Sequence, residues 1–143
     1  MPCSKNILTA SIFYIHVKKG GWLITAGERL TQSAKAYIEA HCEEKFSLQV
    51  ISNALFVNGS YLLRTFKAHT GQTLLSYHNV MRCEKAKKLL LGSECTVSEA
   101  GEEAGFSSSA HFSHVFKKVT GMTPTQYRKS EVQSLVLEYG MEE

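Results

Sequence analysis

FKAHTGQTLLSY at residues 66–77 and FKKVTGMTPTQY at residues 116–127 are two copies of one pattern, Phe-Lys-x-x-Thr-Gly-x-Thr-x-x-x-Tyr. They are set 50 residues apart with no gap, and the same offset pairs Ala54 with Ala104 and Phe56 with Phe106. Self-similarity at a fixed offset marks a duplicated architecture, and two copies fall short of the roughly three that a solenoid needs. The repeat is therefore read as one supersecondary unit present twice.

Working outward from the second copy, Thr96 with Glu99 three residues later forms a capping box for a short helix over Val97–Ala104. Gly105 ends that helix, because glycine takes a left-handed conformation at little cost. Ser107 or Ser108 caps the next helix, on which Phe112, Val115, Phe116 and Val119 share a face at helical spacing. Gly121 closes it, and Thr123 with Pro124 opens another, proline being tolerated at the first helical position. A short helix, a tight turn and a second helix with one apolar face make a helix-turn-helix.

The first copy follows the same plan. Ser47 caps Leu48–Leu55, Asn58 caps a helix to about Thr70, and Leu62, Phe66 and Thr65 face inward. Between the copies a long helix is predicted from about Thr73 to Leu91, with Leu74, Tyr77, Met81, Ala86, Leu89 and Leu90 as its apolar stripe. Ahead of both, Leu30–Glu44 reads as an amphipathic helix with Ala34, Tyr37, Ile38 and His41 inward. The expected fold is all-α: a seven-helix bipartite domain with two helix-turn-helix subdomains joined by a linker helix. The expected divisions are residues 1–28, 29–72, 73–92, 93–130 and a tail, 131–143. About 19 residues at roughly 1.5 Å each make a linker of about 28 Å, close to the roughly 34 Å between successive major grooves on one face of B-DNA.

Charge is distributed to match. From Asn58 to Gly92 there are six basic residues (Arg64, Lys67, Arg82, Lys85, Lys87, Lys88) against Glu84 alone. From Ser107 to Lys129 there are Lys117, Lys118, Arg128 and Lys129 and no acid. The net charge of +3 is modest, so it is this clustering that points to a phosphate partner. On Arg82 the reading is a structural ion-pairing residue. Phe66, Phe116, Tyr77 and Tyr127 are expected in the core.

These residues carry a family resemblance. GFSSSAHFSHVFKKVTGMTPTQYR, residues 105–128, resembles the signature of the AraC/XylS bacterial transcription regulators, and residues 47–90 resemble that family's first helix-turn-helix and linker. The resemblance covers about residues 30 to 130. It implies a sequence-specific DNA-binding regulator, an activator, placing two recognition helices in successive major grooves of promoter DNA and contacting RNA polymerase in the bacterial cytoplasm. Carried over residue by residue, the base-reading positions are Ser60, Leu63, Arg64 and Lys67 in the first unit. In the second they are Ser109, Ala110, His111, Ser113, His114 and Lys117. Arg64 is the leading candidate, since a guanidinium bonds guanine O6 and N7 together; His111 and His114 should point outward. Three residues depart from the family pattern. Phe56 stands where many members have a turn glycine, Gly101 replaces a usual alanine and Ala100 a larger aliphatic, so the second unit's first helix is expected to be marginal.

Residues 1–28 are too short for a ligand-enclosing barrel. SIFYIHV, KKGG and WLIT read as a short β-hairpin, and its edge pairing into a homodimer is the hypothesis that the segment carries. A different class of function, a helical protein-interaction module acting as an antagonist of a related regulator, would need exposed apolar anchors on its helices. Enzyme chemistry is not expected: the chain has no aspartate, no acid–base pair at helical spacing and no phosphate-cradling glycine loop. Nor is a cofactor or metal, because Cys3, Cys42, Cys83 and Cys95 lack the close pairing of zinc ligands. They read as reduced thiols. No apolar run is long enough to span a bilayer, and no signal peptide is recognisable.

Overall fold

The computed structural model describes residues 24–92 and 94–139, and among them the secondary structure is seven α-helices with no strand. They are α1 (Ala26–Ala40), α2 (Leu48–Ala54), α3 (Gly59–Thr70), α4 (Leu74–Gly92), α5 (Val97–Glu103), α6 (Ser109–Thr120) and α7 (Pro124–Tyr139). They build two compact units. The first holds described residues 24–41 and 46–78; the second holds 42–45, 79–92 and 94–139.

Helix α1 starts four residues earlier than expected because Thr25 is its N-cap. The Thr25 Oγ1 accepts from the Glu28 backbone N–H, and the Glu28 carboxylate accepts from the Thr25 N–H at 2.8 Å. The sequence places Ile24 and Thr25 at the end of the second strand of a hairpin, but neither is in a strand; the rest of that hairpin, up to residue 23, lies outside the described residues. The helix ends at Ala40, short of the expected Glu44. At the other end of the chain α7 continues to Tyr139, through most of the stretch read as a tail.

Every letter of the repeated pattern except the lysine has a structural task that its residue type explains, performed twice. Phe66 and Phe116 are fully buried. Thr70 Oγ1 donates to Phe66 O at 2.7 Å, and Thr120 Oγ1 to Phe116 O at 2.7 Å. Each threonine oxygen also receives the N–H two residues on, from Gln72 and Met122. Gly71 and Gly121 take the left-handed conformation, φ 77° and 88°, and their N–H groups close on the carbonyls of Lys67 and Lys117 at 2.8 Å. Thr73 and Thr123 hydroxyls then accept the N–H groups of Ser76 and Gln126, capping the next helix. Tyr77 and Tyr127 lie edge-on to the buried phenylalanines, with centroids 5.5 Å apart in both units.

The first unit buries Ala34, Ile38, Ile51, Leu62, Phe66, Leu74 and Tyr77. Tyr77 donates its hydroxyl proton to Glu39 at 2.6 Å, and burial with that carboxylate beside it pushes the phenol's pKa well above its ordinary value. Tyr37 and His41 are half-buried and stacked on each other, rather than fully inward. The second unit packs Cys83, Ala86 and Leu90 with Ala100, Ala104, Phe106, Phe112, Val115 and Phe116, and Tyr127 is partly buried against that cluster. Val119, expected on the inner face of α6, is exposed. Burial pushes the Cys83 thiol up to about 11, which keeps it protonated and unreactive.

Gly101 is buried, and a Cβ built there would run into the Phe112 ring, 2.7 Å from its Cγ. The missing methyl thus makes room for the aromatic at the centre of the second unit, which offsets the helix propensity given up at this position.

Candidate nucleic-acid interface

Helices α3 and α6 each lie between a side-chain cap and a glycine stop. Asn58 Oδ1 receives the N–H groups of Ser60 and Tyr61, and Ser108 Oγ receives that of His111. The caps and stops are 50 residues apart, so α3 and α6 correspond position by position. Each buries one face, Leu62 and Phe66 in α3 and Phe112, Val115 and Phe116 in α6. The opposite faces are in solvent.

The sequence-derived site residues fall on those solvent faces. On α3, Ser60, Leu63, Arg64 and Lys67 are all exposed. On α6, Ser109, Ala110, His111, His114 and Lys117 are exposed, and Ser113 is half-buried. The two faces belong to separate units, and each is a set of its own. Side chains of Arg64, Lys67, His114 and Lys117 have no hydrogen-bond or ion-pair partner among the described residues. His111 leans its ring edgewise on Phe106, with centroids 5.7 Å apart. Tyr61 belongs with this group and was missed: it is exposed, and the repeat pairs it with His111, a signal that was available in the sequence.

The basic stripe expected on the linker helix is largely spoken for. Lys85 pairs with Glu43 at 3.0 Å and Lys87 with Glu84 at 2.8 Å, which holds the Glu43 carboxyl below its usual value and the Lys87 ammonium above its own. Arg82 is buried, but not in an ion pair. Its guanidinium donates to the carbonyls of Cys42 at 2.7 Å and Glu44 at 2.8 Å and lies over the Phe106 ring. Arg128 does the same for Leu90 and Cys95. Both arginines tie down carbonyls outside the regular helical ladder, those of Cys42, Glu44 and Cys95 in loops and that of Leu90 in the last turn of α4. Arg64 and Lys67 on α3 and Lys117 and Lys118 on α6 are left unengaged among the described residues, as are Lys88 on α4 and Arg29, Lys45 and Lys129 elsewhere.

Among the described residues no group of His, Cys, Asp or Glu is placed to hold a metal, and no helix is long and apolar enough to cross a membrane.

Residues 51–130 match the family model described as a helix-turn-helix domain. A helix-turn-helix-type transcriptional regulator of Bacillus subtilis, YisR, is 31% identical over 130 residues, 90% of this chain and 45% of that protein. The transcriptional activator RhaS of Escherichia fergusonii is 34% identical over 100 residues, 70% of this chain and 36% of that protein. The chain thus spans less than half the length of either relative. A crystal structure of an AraC-type transcriptional regulator from Chromobacterium violaceum superposes with a TM-score of 0.70 at 29% identity, covering 76% of this chain and 98% of that one.

Proposed function

The chain belongs to the AraC/XylS family of helix-turn-helix transcription regulators, and from that premise we propose that it reads promoter DNA with α3 and α6 in successive major grooves. One observation carries the reading. The solvent faces of α3 and α6 each carry basic side chains without an internal partner, Arg64 and Lys67 on one and Lys117 on the other, while most of the basic residues of α4 are already engaged. Free cations are what a polyanion attracts, and partnered ones contribute little to counterion release. Arg64 is the principal reader in the first unit, bonding a guanine edge, with Ser60, Tyr61, Leu63 and Lys67 around it. In the second unit Ser109, Ala110, His111, Ser113, His114 and Lys117 form the reading face. The 19 residues of α4, about 28 Å as a rod, supply the spacer this arrangement needs. Contact with RNA polymerase is the route by which such a protein acts as an activator.

The test is selection of sites from random duplexes of about 30 base pairs, the length two major-groove sites require, at two salt concentrations. Two short boxes about one helical turn apart are expected. Arg64→Ala should cost about 2 kcal/mol and relax preference in one box only; salt-sensitive binding with no enriched sequence would overturn base reading.

A second reading, docking to a protein, draws on Val132, Leu135, Val136 and Leu137, all exposed on α7. The same selection separates the two, since a protein-docking module enriches no duplex.

A further inference from the structure

Because α3 and α6 correspond at an offset of 50, His114 occupies in the second unit the position that Arg64 occupies in the first. Both side chains are exposed and without a partner. An arginine keeps its charge at any physiological pH, whereas histidine is the side chain whose charge changes between pH 5 and 8. We propose that the second unit's hold on DNA is proton-linked through His114: uptake of a proton there accompanies engagement of the second box, while the first box is bound independently of pH.

This rests on the DNA-reading assignment above. The neutral imidazole has one N–H donor; the imidazolium has two, and a charge. Only the protonated form can donate from both ring nitrogens, to the guanine acceptors or phosphate oxygens that Arg64 meets in the other unit. Without it, the named positions on the α6 reading face carry one fixed cation, Lys117, against Arg64 and Lys67 on α3.

Charged groups stand on every element around His114. On α6 itself the ionisable neighbours are His111 one turn before, and Lys117 and Lys118 one turn after. Of the elements packed against α6, helix α5 carries Glu99, Glu102 and Glu103. Helix α7 carries Arg128, Lys129, Glu131 and Glu138, and α4 carries Arg82, Glu84, Lys85, Lys87 and Lys88. None of the described carboxylates lies within ion-pair distance of His114. His111 is the poorer candidate. It is the third residue of α6, in the first turn, where the helix dipole disfavours a cation, and its ring is committed to Phe106. His114 is the sixth residue, beyond that turn.

The experiment is fluorescence anisotropy of the full chain on the selected two-box duplex at constant ionic strength, from pH 6 to pH 8. Binding should be roughly tenfold weaker at pH 8, the change expected when the complex shifts one proton equilibrium by about one pH unit. His114→Arg should bind tightly at both pH values. His114→Gln should bind weakly at both, and His111→Gln should keep the wild-type pH dependence. A duplex with only the first box should show no pH dependence in any variant. Box-specific binding that is flat with pH in the wild type, or a slope that survives His114→Gln, overturns the proton link and leaves the DNA reading standing. Absence of box-specific binding at every pH overturns both.

Discussion

In the first unit the chain leaves α2 through Leu55, Phe56 and Val57, and Asn58 caps α3. In the second it leaves α5 through Ala104, Gly105, Phe106 and Ser107, and Ser108 caps α6. The second turn is one residue longer. Hydrogen bonds show the correspondence: Phe56 N–H to Asn53 O and Val57 N–H to Ser52 O in one unit, Gly105 N–H to Glu102 O and Phe106 N–H to Gly101 O in the other. Up to the turn the structural offset is 49, and from the caps of α3 and α6 onward it is 50. The identities Phe56/Phe106 and Ala54/Ala104, which a constant offset pairs, are therefore not equivalent positions. Phe56 is the counterpart of Gly105, with φ 57° and its side chain 94% exposed; Phe106 is 4% exposed and its counterpart is Val57. Identity at a fixed spacing is evidence of duplication, but equivalence is decided by which carbonyl each amide reaches.

The two turns also differ in what depends on them, and this ranks the ways to break the comparison. A Cβ on Gly105 would sit 2.5 Å from Glu43 O and 2.6 Å from Glu43 Cα, at a φ of 103°. Gly105→Ala should destabilise the second unit by about 3 kcal/mol, adding backbone strain to overpacking. Gly71→Ala has strained φ but open space and should cost about 1 kcal/mol. Thermal denaturation of both variants checks this, and equal losses would show that the close approach to Glu43 does not matter. Arg82→Met comes next. It strips two carbonyls of their donor on the loop that Gly105 touches, and a loss of about 2 kcal/mol is expected by urea titration. Its salt dependence of DNA binding should stay at the wild-type slope; a shallower slope would mean that Arg82 meets phosphate after all.

A fourth variant sharpens the comparison by stabilising. Phe56 in the left-handed region costs about 1 to 2 kcal/mol relative to an unstrained residue, and its exposed ring recovers nothing by burial. Phe56→Gly should raise stability by about 1 kcal/mol after glycine's own entropy cost. A fall in stability would show that the Phe56 ring has a packing role.

The smallest effect concerns the capping boxes closed by a glutamate, one in each unit. Backbone and side-chain hydrogen bonds from Thr25 and Thr96 hold the Glu28 and Glu99 carboxyls below their usual value. A depressed carboxyl stabilises the fold above its unfolded value, and that contribution disappears as the pH falls through the folded one. Glu99→Gln should be slightly less stable than wild type at neutral pH and indistinguishable in strong acid, as read by circular dichroism against pH. A gap that persists in acid would place the effect in geometry rather than charge.

The sequence was most legible where local chemistry is sufficient. Asn58, Ser108, Thr96 with Glu99, Gly71 and Gly121 act within a few residues of themselves, so their roles can be read from spacing alone. Which faces of α3 and α6 meet solvent was legible for the same reason, because Phe66 and Phe116 orient their helices. Less visible was everything joined across long separations. Arg82 could be seen to be basic, but its two acceptors are backbone carbonyls 40 and 38 residues away, and backbone atoms leave no mark in composition. The neutralisation of Lys85 by Glu43 was hidden in the same way.

From sequence alone came the duplication, the all-helical class, the helix ends between Ser47 and Pro124, and which residues of α3 and α6 face solvent. Each follows from periodicity or from a cap that acts on its own turn. Tertiary structure decided which cations remain free, why Gly101 must lack a side chain beneath Phe112, and where the equivalence of the two units slips by one residue. Those depend on distances between parts of the chain that sequence separation does not encode, and on the rule that a buried carbonyl or ring takes whatever partner the packing brings to it.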